Sequence, residues 1–202
     1  MRSHLLAASL VAVACSRSQP EPVTTKPEPT SAAASVTASA TASATASTTA
    51  SPPVDAGPLP DKLDWTAPAK LKEEPGAKPM RIATYHAPKV GSDTEEPTLV
   101  VSHAGGGLDA NIERWHGQFN PITKKSRTER VVGSIAVTIV ETHGTFLGGM
   151  NGTGSKEKHM LLGAIVPVKD GAYFFKMVGP EASVEAARSD FDALVGSIHS
   201  AP

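Results

Sequence analysis

Between Ser16 and Pro60 the chain is built mainly of Ala, Ser, Thr and Pro, with no aromatic residue and a near-repeat of Thr-Ala-Ser-Ala between Val36 and Ser51. Such a stretch cannot bury enough apolar surface to offset the entropy of ordering it, so residues 16–60 are predicted to be a disordered linker. Whatever folds must then fold within Asp61–Pro202. As a flexible coil the linker spans roughly 35–40 Å, and more where Pro20, Pro22, Pro27 and Pro29 stiffen it. A helical Ala-rich rod is disfavoured because the alternating Ser and Thr compete for backbone hydrogen bonds. A tether is the first reading of the tract, and adhesion or O-linked decoration the second.

Ahead of the linker the chain opens Met1-Arg2-Ser3-His4, runs apolar from Leu5 to Val13 and reaches Ala12-Val13-Ala14-Cys15. A basic start, a short apolar run and small residues before a cut read as a secretory signal, and the run is too short to span a bilayer. Cys15 sits where a bacterial lipobox places its cysteine, although Ala12 stands where leucine is commoner. Residues 1–15 are therefore expected to be a lipoprotein signal peptide ending at a lipidated Cys15. A secreted protein cut near Ala14 is the alternative. The lipid anchor makes the membrane the first expected partner and the cell envelope the expected location, with the outer membrane as destination in a diderm host, since Ser16 is not the aspartate associated with inner-membrane retention.

Cys15 is the only cysteine, so a mature domain has no disulfide, no thiolate nucleophile and no cysteine metal site. From Asp61 onward, 16 Lys and Arg face 17 Asp and Glu. That balance excludes the basic excess expected of a nucleic-acid partner. Lys124, Lys125, Arg127 and Arg130 do cluster, but they read as a solvated polar connection. Nothing after Val13 is apolar for long enough to cross a membrane as a helix.

Within residues 61–202, Met80–Tyr85 alternates sides and reads as a strand, as does Thr98–Ser102. Leu108, Ile112, Trp115 and Phe119 are spaced four, three and four and predict a helix with one apolar stripe, stopped by Asn120-Pro121. The β-branched run from Val131 to Glu141 predicts a central strand entered from the Lys/Arg-rich loop, and the glycine-rich stretch Leu147–Lys158 predicts a loop. Two apolar runs flank Lys169-Asp170-Gly171, a strong hairpin signal. Pro167 marks a strand end or an edge. Pro180, early glutamates and the face Val184, Ala187, Phe191, Leu194, Val195 and Ile198 predict one long C-terminal amphipathic helix. The order points to an α+β fold in which helices cover an antiparallel sheet.

The closing pattern "YFFKMVGPEASVEAARSDFDALVGSI", with "NIERWHGQF", resembles a set of uncharacterised bacterial lipoproteins and exported domains and, more distantly, the Mog1/PsbP-like α/β/α fold. The resemblance covers roughly residues 61–202 and implies an antiparallel sheet between helices, a scaffold commonly used for docking to partners. It supplies no catalytic residues.

The motifs that invite a chemical reading are incomplete. His103-Ala104-Gly105-Gly106-Gly107 looks like an esterase oxyanion loop, but no Gly-x-Ser-x-Gly elbow exists in the chain. In Gly149–Lys156 the lysine does not follow the second glycine of a phosphate loop, because Ser155 intervenes. Asn151-Gly152-Thr153 matches a glycosylation sequon that carries little weight in a bacterial-looking chain. The histidines at 86, 103, 116, 143, 159 and 199 show no close ligand pairs.

The polar stripe of the first helix remains: Asn111, Arg114 and Gln118 recur at three and four residues beside Trp115. Arg with Trp is a pairing enriched in binding hot spots. A structural role, with Trp115 in the core and the Arg114 stem packed over it, competes with that reading. The expectation is a lipid-anchored envelope protein, a non-catalytic binding or scaffolding module rather than an enzyme. Its candidate face is Asn111, Arg114, Trp115 and Gln118, its partner is an envelope protein or small ligand, and no cofactor or metal is implied. An exported hydrolase using Ser102 or His103 and a metal-binding protein built on His103, His116 and His143 are the alternatives.

Overall fold

A computed structural model describes residues 56–76, 78–148 and 154–202. Cys15, the segment expected to be a signal peptide, residues 16–55 of the expected linker and the Asn151-Gly152-Thr153 sequon lie outside the described residues. The elements run β1 (Leu63–Asp64), β2 (Lys72–Glu73), β3 (Ala83–His86), β4 (Thr98–Ala104), α1 (Leu108–His116), β5 (Phe119–Val132), β6 (Ile135–Phe146), β7 (Lys156–Val168), β8 (Gly171–Pro180), α2 (Glu181–Ala186), α3 (Arg188–Gly196) and β9 (His199–Ser200). Seven strands form one antiparallel sheet in the order β2-β3-β4-β8-β7-β6-β5, and β1 pairs with β9 separately. The fold is the expected α+β sheet with helices on it.

Strand alternation gives the sheet two faces. One carries Leu99 and Val101 of β4, Phe175 and Met177 of β8, and Met160, Leu162 and Ala164 of β7, closed by Val184, Phe191, Leu194 and Val195 of α2 and α3. The other carries Val140, Leu161, Ile165 and Phe174, on which Ile112 and Trp115 of α1 and Phe119 pack. Trp115 lies on Gly163 in the middle of β7, where a Cβ would run into the indole ring, and meets Phe174 edge to face at 6.0 Å. The glycine in β7 is thus the slot that lets α1 approach the sheet.

Several expected boundaries move. The Lys/Arg-rich segment is no loop. It is most of β5, a 14-residue edge strand whose residues are mainly exposed, and β-branched Val131 and Val132 end it rather than begin its neighbour. Gly133, with φ 61, and Ser134 make the turn into β6. Charges on an edge are what keep an edge from pairing with another chain, so the composition fits an edge strand as well as a loop.

The predicted first strand starts later, at Ala83, because Met80 sits in a turn with φ 60 and Ile82 is half exposed. Helix α1 stops at His116 and Gly117 caps it, so Phe119 joins the apolar cluster as the first residue of β5 and Gln118 lies past the helix end. The glycine-rich stretch gives way to β7 at Lys156. The C-terminal helix is two, broken at Ala187, with Ile198 beyond it. The 169–171 hairpin forms as read, and the Pro167 signal is met on one side only: pairing to β6 ends at Ile165 while pairing to β8 continues to Val168.

Hydrogen bonds reach back past Asp61. The Gly57 amide donates to Ser134 at 2.8 Å and the Lys169 amide to the Pro60 carbonyl at 3.0 Å, so the last linker residues are laid against the sheet's hairpins. No helix among the described residues is long and apolar enough to cross a membrane.

Candidate functional site

Helix α1 rests on β5, β6 and β7, and beside it, over β4 and β8, the same sheet face holds two cavities. One, of about 240 Å³, is lined by Arg81, Val100, Ser102, Asn111, Arg114, Trp115, Phe174 and Lys176 among others. The next, of about 220 Å³, is lined by Glu95, Thr98, Val100, Phe146, Lys156, His159, Lys176 and Val178 among others. Val100 and Lys176 belong to both and are paired across β4 and β8, so the cavities are two lengths of one trough.

The helix stripe read from the sequence reaches this trough. Asn111, 3% exposed, donates its Nδ2 hydrogen to the Gly107 carbonyl at 3.0 Å and accepts from Arg114 Nη1 at 3.0 Å. A buried amide thereby fixes the guanidinium above the cavity. Gln118, beyond the helix end, accepts from Lys176 Nζ at 3.1 Å. Trp115 is both things proposed for it: 6% exposed, it is core, and it also forms part of the cavity wall.

Lys176 and Arg81 were not singled out in the sequence. Lys176 interrupts an apolar strand at a position whose same-face neighbours are Phe174 and Val178, and such a lone cation in a hydrophobic run was the available signal. Arg81 had none, since it precedes β3 and its side chain reaches the trough through tertiary structure alone. Burial holds the Lys176 amine below its usual value, and the nearby Arg81 guanidinium adds to that.

At the other end, Glu95 accepts from Lys156 Nζ at 2.5 Å and from His159 Nε2 at 2.6 Å, while His159 Nδ1 bonds the Glu157 carbonyl at 2.9 Å. Burial works to raise the Glu95 pKa, but the Lys156 and His159 hydrogen bonds outweigh it and hold the carboxyl below its ordinary range. Sixty-four residues separate His159 from Glu95, a distance at which spacing says nothing.

Neither Ser102 with His103 nor the three histidines come together. Ser102 and His103 are consecutive residues of β4, so their side chains leave opposite faces of the sheet. Ser102 faces the trough, while His103 stacks tilted on Tyr173 at 5.1 Å on the other side. The pair cannot share a proton. His116 bonds Thr142 Oγ1 at 2.8 Å on the α1 face, and His143 bonds Glu181 at 2.8 Å on the α2 and α3 face. Three histidines on two sides of a sheet cannot ligate one ion. No group of three or more His, Cys, Asp or Glu among the described residues is placed to hold a metal.

No family model matches the chain, and no curated protein matches it. Among solved structures it is similar to PA94 of Pseudomonas aeruginosa, a protein of unknown function, at 12% identity and a TM-score of 0.45, covering 69% of this chain and 98% of that one. It is similar to LpqN of Mycobacterium tuberculosis, involved in cell envelope biogenesis, at 10% identity and a TM-score of 0.45, covering 75% and 90%. Against the PsbP of Synechocystis sp. PCC 6803 the figures are 13% identity, a TM-score of 0.41, and 72% and 95% coverage.

Proposed function

We propose that this protein is a lipid-anchored module of the cell envelope that binds an anionic group in the trough over β4 and β8, without covalent chemistry. One observation carries the reading: Arg81, Arg114 and Lys176 converge on one cavity that no carboxylate lines, and among the described residues none of the three is paired with a carboxylate. Arg114 and Lys176 are held instead by the amide oxygens of Asn111 and Gln118. A neutral amide orients a cation and leaves its charge uncompensated, so a carboxylate or phosphate entering the cavity gains charge-assisted hydrogen bonds from groups already in place. The acidic group belongs to a small molecule or to an exposed side chain of an envelope protein.

The anchor half of the proposal rests on the sequence before Ser16, where a signal-like run ends at Cys15. The tether then gives the domain a reach of tens of ångströms from the membrane surface.

The test titrates methyl phosphate and acetate into the full chain carrying Cys15→Ala, read by calorimetry and by the summed fluorescence of Trp65 and Trp115. Saturable binding that weakens about tenfold or more in Lys176→Met and in Arg114→Gln supports the reading, as expected for loss of one charge-assisted bond. Absence of anion binding, or binding indifferent to both variants, sinks it. Acyl labelling of the wild-type chain that disappears in Cys15→Ala checks the anchor.

A further inference from the structure

The trough does not end where its cations end. From Lys176 and Val100, which face each other, it continues over Val178 toward Phe146 of β6, and Val100, Val178 and Phe146 are only partly buried. Helix α1 covers this face only in part, and the valines it leaves partly open are apolar surface that water meets at a cost. Together with the cation-lined cavity this makes one slot with a basic end and an apolar floor. Two carboxylates line its far wall, Glu95, hydrogen-bonded by Lys156 and His159, and the exposed Glu96, so the far end offers an anionic head no uncompensated cation.

From these features we infer that the ligand is a free single-chain amphiphile, whose anionic head sits among Arg81, Arg114 and Lys176 and whose apolar chain lies over Val100 and Val178. The inference rests on the anion-binding reading and adds the chemical class of the ligand. From Val100, level with Lys176, to Thr98 the floor runs two residues along β4, roughly 7 Å at about 3.3 Å per residue, so a chain longer than about six carbons runs on toward Phe146. Charge complementarity fixes the polarity of the ligand in the slot, and the apolar floor fixes what its other end must be.

The test compares methyl, hexyl and decyl phosphate, each below its aggregation threshold, on the full chain carrying Cys15→Ala. A chain half enclosed by the floor tightens binding about twofold per methylene, half the gain of full burial. Val178→Thr keeps the shape and removes apolarity, so it is expected to reduce that gain while leaving methyl phosphate binding as it was, and thermal melting verifies that it folds. Equal affinity for methyl and decyl phosphate overturns the amphiphile and leaves the anion site intact. A chain-length gain untouched by both Val178→Thr and Val100→Thr also overturns it, because the chain then lies elsewhere. Capture of phosphatidate-containing phosphatidylcholine vesicles without binding of free decyl phosphate overturns it in favour of a bilayer headgroup. Failure of every phosphate to bind defeats the anion-binding reading itself.

Discussion

Lys176 is where stability and binding pull apart. It is a cation on a central strand, with Phe174 and Val178 as its same-face neighbours, held by one amide and depressed in pKa by burial and by Arg81. An unneutralised charge in such surroundings costs the folded state, and replacing it with an apolar chain of similar length removes that cost. Lys176→Met is therefore expected to leave the denaturation midpoint unchanged or raised while anion binding falls, a combination that urea unfolding and titration check together. A merely structural lysine would show the opposite, a loss of stability. The contact of Trp115 with Gly163 is the converse case, in which packing alone decides. Trp115→Ala is expected to cost about 3–5 kcal/mol, and Gly163→Ala about 1–3 kcal/mol because the added methyl meets the indole. In the Trp115→Ala background the Gly163→Ala penalty should largely vanish, and a double-mutant cycle of urea denaturation reads the coupling.

Among the elements, α1 shows what spacing can and cannot convey. Its apolar stripe and its polar stripe were both legible, because one helix supplies its own geometry: Ile112 and Trp115 pack, and Asn111 and Arg114 reach the cavity. Its C-terminal limit was not, since Phe119 keeps the stripe's spacing and is buried in the same cluster, so periodicity alone reads through Gly117. The same limit misplaced β5. A strand with few buried residues has no alternation to detect, and its charges look like those of a loop until its partner β6 is seen. The break at Ala187 was hidden because α2 and α3 continue one apolar face through Val184, Phe191, Leu194 and Val195. The candidate site was half legible for a related reason. Residues on α1 share a local frame, whereas Arg81, Glu95, Lys156 and His159 come to the trough from chain segments that only the sheet order β3-β4-β8-β7 brings side by side. At its start α1 also carries a correctable weakness. Gly107 occupies the N-cap in extended conformation, φ −68 and ψ 148, with no side-chain cap and open space where a Cβ would stand. Gly107→Ser is expected to stabilise by about 0.5–1 kcal/mol, through a cap hydrogen bond and a stiffer unfolded chain, as thermal melting would show.

For the molecule as a whole, the two faces are held by groups that fail in the same direction as pH falls. On the α1 face, burial lowers the pKa of His116, with Lys125 adding to the shift and Glu113 opposing it, and the ring shares a hydrogen bond with Thr142. The folded state thus prefers the neutral ring. Below the ordinary imidazole value of about 6.5 the unfolded chain takes up a proton that the folded one does not, so stability declines with a slope of at most about 1.4 kcal/mol per pH unit from this group. On the opposite face burial acts to raise the Glu141 pKa, but the hydrogen bond and charge of Arg188 and the His143 contact outweigh it and hold it down. Glu95 is held down likewise by Lys156 and His159. The stability these carboxylates provide is present above the ordinary carboxyl range and is lost as pH falls through their depressed values. Two limbs of acid destabilisation follow, one in the imidazole range and one in the carboxyl range. His116→Gln is expected to flatten the first while leaving the second, and Glu141→Gln to diminish the second while leaving the first. Urea midpoints measured from pH 8 to pH 3 on the wild type and both variants decide it, and a first limb that persists unchanged in His116→Gln would assign that limb to a different group.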